Sequence, residues 1–167
     1  MADQADTNEA LANGADTAPQ IGLITQYVKD MSFENPNAPA VYQWQNQPNI
    51  DVQFNIGAER IGDDLHEVQL KIEVKATTDA GTAFAVELLY AALFGMRNVP
   101  EDQVNPFLLA EAPRLIFPFA RRVLADAVRD GGFPPLLLDP IDFVALYQQQ
   151  AEAALTQQTT GSVFGNA

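Results

Sequence analysis

Cysteine is absent from the 167 residues, histidine occurs once, and lysine plus arginine number nine. Each shortage excludes something. Without thiols there are no disulfides and no thiolate metal sites, which suits a reducing compartment. A Cys-His pair is impossible, and a Ser-His-Asp triad would have to be built on His66 alone. Nine basic residues against twenty-two acidic ones leave a net charge of −13, so a phosphate backbone is repelled and nucleic acid is not an expected partner. A basic protein surface is the complementary one, because opposite charge steers encounter; from charge alone, simple solubility is the better-supported explanation. Long apolar runs are missing too. Pro, Glu or Arg interrupts each one before the roughly 20 residues a membrane span needs, so no direct membrane insertion is expected. Residues 1–20 carry Asp3, Asp6, Glu9 and Asp16 and no cation, unlike the basic start and apolar stretch of a secretory signal. The reading is a cytoplasmic protein. Gly131-Gly132 is followed by Phe-Pro-Pro rather than a lysine and a helix start, so no phosphate-binding loop, and no nucleotide cofactor, is expected. Asp63-Asp64 looks like half a metal site but reads as a turn. Paired carboxylates remain open for acid–base work, with nothing pointing to it.

What is present divides into three stretches. Residues 1–20 read as a disordered acidic arm, 21–155 as one folded domain, and 156–167 as a flexible tail. Within the domain, Ile50, Val52, Phe54 and Ile56 alternate with polar residues, as do Val68, Leu70, Ile72 and Val74, the period of half-buried strands. Gly57 to Asp64 is read as their connection, and Asp79-Ala80-Gly81 as the next turn. Leu23 to Phe33 is extended until Pro36 and Pro39 close it. In Thr82 to Phe94 both faces are apolar: Phe84, Val86, Leu88, Tyr90 and Phe94 on one, and Ala83, Ala85, Leu89, Ala91 and Leu93 with the lone Glu87 on the other. Such a strand expects cover on each side, from its own helices and from a second subunit, a bound partner or a loop. The second half is helical. Asn105-Pro106 predicts a helix start and Gly131-Gly132 its stop, with Pro113 and Pro118 forcing a kink or a late beginning. Asp139-Pro140-Ile141-Asp142 predicts the start of a second helix running towards Leu155. Strands followed by helices make an α+β fold: a four-stranded antiparallel sheet with two C-terminal helices.

Two constellations stand out. Asp30 and Glu34, four residues apart on a strand, share a face about 13 Å apart at roughly 3.3 Å per residue; the alternative is an ordinary solvated sheet face. Gly131 through Pro140 forms an apolar connector stiffened by Pro134 and Pro135, either a binding loop or one whose leucines tuck into the core.

Several segments in order resemble the SecB family of bacterial protein-export chaperones. Tyr27-Val28-Lys29-Asp30-Met31-Ser32-Phe33-Glu34-Asn35-Pro36-Asn37-Ala38-Pro39 is similar to the family's opening strand and loop, and Thr82 to Phe94 to its fourth strand. Phe117-Pro118-Phe119-Ala120-Arg121, Gly132-Phe133-Pro134-Pro135 and Asp139-Pro140-Ile141-Asp142-Phe143 resemble its first helix, crossover loop and second helix. The likeness runs from about Leu23 to Tyr147. It implies a non-enzymatic chaperone without cofactor or metal that assembles as a dimer of dimers. Such a protein binds unfolded precursor polypeptides and hands them to the SecA ATPase. It further implies a SecA-contacting surface of Asp30, Glu34 and Glu87, and a peptide groove drawn from Tyr42, Val86, Leu88, Tyr90, Phe133, Leu137 and Phe143. Ala92 occupies a place where the family usually has glycine, and Trp44 falls a couple of positions before the usual tryptophan. The reading that competes from the residues is a small α+β ligand-binding domain or enzyme with a pocket between sheet and helices.

Overall fold

The computed structural model describes residues 17–163, and side chains through residue 158. All but the last few residues of the expected acidic arm, and the end of the expected tail, lie outside that range. Four strands, β1 (Gln20–Glu34), β2 (Asn49–Gly62), β3 (Leu65–Thr78) and β4 (Gly81–Arg97), form one antiparallel sheet in the order β1-β4-β3-β2. The expected connection between the second and third strands is shorter than its composition suggested. β2 continues to Gly62, and Asp63-Asp64 alone makes the turn. Asp64 adopts φ 57°, the left-handed conformation that aspartate tolerates better than most residues in a tight turn. Gly81, with φ 138°, opens β4 after Asp79-Ala80.

Consecutive strands β1 and β2 occupy opposite edges. The chain between them must therefore cross three interstrand gaps, about 14 Å, over the end of the sheet. Residues 35–48 make that crossing through a short 3-10 turn, Ala40–Gln43, with a cis Ala38–Pro39 bond.

The helical layer follows. α1 (Glu101–Pro106) leads into a π-turn (Phe107–Glu111) and then α2 (Ala112–Asp130). The expected start at Asn105 is thus four residues late. Pro100 precedes the first turn in an extended conformation, while Asn105-Pro106 lies inside the helical run. The lost proline donors at positions 106 and 113 bracket the π-turn, where the i→i+4 ladder is already interrupted. α2 buries Ile116, Phe117, Ala120, Leu124 and Val128, a helical stripe against the sheet. Gly131 caps it: its N–H donates to the Ala127 carbonyl at 3.1 Å, and that of Gly132 to Arg129 at 3.0 Å. α3 (Phe143–Val163) begins three residues after Asp139-Pro140. Asp142 is the capping residue, its Oδ1 accepting the Ala145 N–H at 3.0 Å. The helix continues past 156, where the sequence reading places a tail.

The core lies between the sheet and α2. Leu70, Ile72, Val86, Leu88 and Phe94 are fully buried against Ile116, Leu124 and Phe143. Ala92 is fully buried in this layer. The second face of β4 is covered from the side. Ala91 lies between Tyr27 of β1 and Gln69 of β3 in the register and is fully buried, because long neighbours roof over a short residue. Leu89 and Leu93 on that face are half-buried.

Candidate functional site

Two surfaces carry the residues singled out above. The first is the sheet face turned away from the helices. Strand pairing stacks it in rows: Glu34, Ala85, Lys75 and Asp51; then Ser32, Glu87, Glu73 and Gln53; then Asp30, Leu89, Lys71 and Asn55. Asp30, Glu34 and Glu87 thus occupy three adjacent rows of β1 and β4, all exposed, and none forms an ion pair among the described residues. Lys71, on the inner flank, donates to Glu73 at 3.0 Å. That hydrogen bond raises the lysine's pKa, and the fields of Glu73, Glu87 and Asp30 raise it further. Glu73 is lowered by the same contact.

Further along this face lies Glu67, the buried charged residue of the described chain, 7% exposed. Tyr27 donates its phenol proton to Oε2, Lys29 donates to Oε1 at 2.6 Å, and Gln69 donates to Oε1 at 2.5 Å. These bonds, that of Lys29 foremost, hold the carboxylate at about 2 against the opposing effect of burial. The phenol is pushed up to about 12, chiefly by its bond to Glu67. A register shift between Val28 and Asp30 leaves Lys29 as an extra residue in β1, and this bulge lets Lys29 and Asp30 serve the same face. No sequence signal marks Glu67. It alternates outward as Glu73 does, and its partner Tyr27 is 40 residues away.

The second surface is a groove where the β1–β2 crossing meets the loop after α2. Val41, Tyr42, Trp44, Pro48, Phe133 and Pro134 line it. Tyr42 stacks at a tilt on Phe133, ring centroids 5.7 Å apart, and Phe133 packs on Phe84 at 4.8 Å. The Tyr42 hydroxyl donates to the Gly131 carbonyl at 2.8 Å and accepts from Asn35 at 2.8 Å. The two glycines permit this approach. A Cβ on Gly131 would run into the Phe33 ring, and Gly132 has φ 85° beneath Tyr42. Tyr42 is exposed, Phe133 half-exposed, and Leu137 62% exposed.

The other expected groove residues lie elsewhere. Val86, Leu88, Tyr90 and Phe143 are 1%, 0%, 6% and 2% exposed, facing the helix layer and not solvent. In a sheet covered on one side, the larger apolar set of a strand goes to the covered face. Phe143 follows Asp142 directly into the core, edge-on to Phe117 at 5.6 Å. Burial raises the Tyr90 phenol pKa. His66 sits half-buried on β3, and the depression it lines is formed by residues including Arg60, Asp64, Asn98 and Glu101, with no serine, threonine or cysteine. Among the described residues no helix is long and apolar enough to cross a membrane, and no cluster of three His, Cys, Asp or Glu is arranged for a metal.

Comparison with known proteins decides the lineage. A family model described as preprotein translocase subunit SecB matches residues 14–154. The chain belongs to the SecB family. Family relatives include the protein-export protein SecB of Sphingopyxis alaskensis, 66% identical over 93% of this chain and 91% of its own length. The SecB of Zymomonas mobilis is 60% identical over 87% and 90%. Among solved structures, a SecB-like chaperone of Mycobacterium tuberculosis in complex with a ChAD peptide from an antitoxin superposes with TM-score 0.60. It covers 72% of this chain and 90% of its own at 15% identity, a likeness of fold. The SecB fold of this chain therefore carries both the acidic sheet face and the aromatic groove.

Proposed function

We propose that this protein-export chaperone holds unfolded precursor polypeptides on the groove of Tyr42 and Phe133 together with the exposed Leu137 of the same loop, and delivers them to the SecA ATPase through Asp30, Glu34 and Glu87. The observation that carries the reading is the open aromatic groove between the crossing segment and the loop after α2. A holding chaperone needs apolar surface that accepts many sequences. Each client Leu or Phe buried there contributes roughly 1.5–3 kcal/mol, and several together offset the ordering of a flexible chain. Proline in the loop keeps Phe133 and Leu137 presented at little entropic cost. The work requires no covalent step, nucleotide or metal. It takes place in the cytoplasm, with neither nucleic acid nor membrane insertion involved, in a homotetramer arranged as a dimer of dimers.

Docking follows a different physics. Three exposed, unpaired carboxylates attract a basic surface, and exposed charges are screened beyond about 8 Å at physiological salt. Binding of SecA should thus weaken as salt rises while client binding hardly changes. The rival enzyme reading places a pocket between sheet and helices, where Ile72, Leu88, Phe94, Ile116 and Phe117 fill the space. The test is SecA affinity for Asp30→Asn, Glu34→Gln and Glu87→Gln, with client binding as control. Each variant is expected to bind SecA more weakly and clients normally. Parental SecA affinity in all three would overturn the docking assignment.

A further inference from the structure

Lys29 is the direct chain neighbour of Asp30, and the β1 bulge turns both to the same sheet face. A mobile lysine there would reach Asp30 and weaken the field that the unpaired carboxylates present. Instead its ammonium is 2.6 Å from Glu67 Oε1. Glu67 belongs to the row of Thr25 and Leu93, on the side of the bulge away from Ser32 and Glu34. Tyr27 and Gln69 fix the carboxylate from the other directions, so its position does not depend on the lysine. The remaining lysines of the face are further from β1. Lys71 is engaged by Glu73 at 3.0 Å, and Lys75 is two strands from Glu34 in the register, about 10 Å.

We infer that Glu67 is a positioning residue for the acidic face, sequestering the Lys29 cation so that Asp30, Glu34 and Glu87, without an ion-pair partner among the described residues, present their carboxylates to a basic surface. This rests on the docking role proposed above for that face. Glu67→Gln preserves shape and an acceptor for Tyr27 while releasing Lys29. Removing the lysine as well, in Glu67→Gln with Lys29→Met, takes away the cation that does the harm. A role confined to holding the fold together would not be rescued by a second loss.

The experiment measures affinity of the full chain for SecA at low salt, with urea midpoint and client binding alongside. For Glu67→Gln a loss of about two- to fivefold is expected, the size of one exposed charge contact. The double variant is expected to return to the parental value. Glu111→Gln, which removes one negative charge from the helical layer, should change nothing and controls for net charge. Glu87→Gln separates the two claims. If it binds SecA normally, the docking reading fails. If Glu87→Gln binds weakly while Glu67→Gln binds like the parent, or while the double variant is no better than Glu67→Gln, the positioning role is overturned.

Discussion

Protonating Glu67 would remove the acceptor that Tyr27, Lys29 and Gln69 share. Its folded value, about 2, lies below its ordinary value of 4.5. Between those values the unfolded chain binds more protons, so stability rises with pH across the window. The contribution is complete above about pH 4.5 and disappears as pH falls towards 2. It amounts to something on the order of 2 kcal/mol, less than a sealed pair would give, because Lys29 remains 42% exposed. Urea midpoints from pH 5 down to 2 should fall more steeply for the parent than for Glu67→Gln; parallel slopes would contradict the network. Gly131 gives a second test. A methyl there meets the Phe33 ring, and such overpacking costs typically 1–3 kcal/mol. Gly131→Ala should lower the urea midpoint and shift Trp44 fluorescence, since Trp44 lines the groove that Gly131 helps to close. An unchanged midpoint and spectrum would show that the loop relaxes freely.

Elements were legible where one physical signal acts alone. The alternation of Ile50 to Ile56 and of Val68 to Val74 located β2 and β3, and Gly131-Gly132 located the end of α2. Helix starts were harder, because Asn105-Pro106 and Asp139-Pro140 both pair a capping residue with a proline. In the first case the helical run begins earlier, at Glu101; in the second, Asp142 and not Asp139 receives the first free N–H. Asp142→Ala should therefore cost about 1 kcal/mol and fray the first turn of α3, read as a lower urea midpoint, while Asp139→Ala should be nearly silent. Equal losses would mean that the cap is not at Asp142. The shared face of Asp30, Glu34 and Glu87 was half-visible. Period two aligned the first two, but only the β1–β4 register places Glu87 between their rows. Burial of Val86, Leu88 and Tyr90 could not be read from a strand apolar on both faces. The contacts of Glu67 with Tyr27 and Lys29 depend on a bulge and on residues about 40 positions apart, and local patterns do not encode such contacts.

At the scale of the molecule, β1 is an edge strand bearing exposed Ile21, Leu23, Ile24, Val28 and Met31, and α2 exposes Leu115 and Phe119. An edge with apolar side chains is a template for pairing, and these surfaces fit the dimer-of-dimers assembly proposed above. Light scattering at micromolar concentration should give the mass of a tetramer; a monomer in moderate salt would contradict it. Net charge of −13 keeps so much apolar surface from associating further. Holding unfolded chains is the role proposed for the groove. The most direct test is affinity, without nucleotide, for a permanently unfolded polypeptide and for the same polypeptide folded, using the parent and Phe133→Ala. Tight binding of the unfolded form alone is expected, with little change with salt and clear weakening by Phe133→Ala. Equal affinity for native and unfolded forms would contradict it.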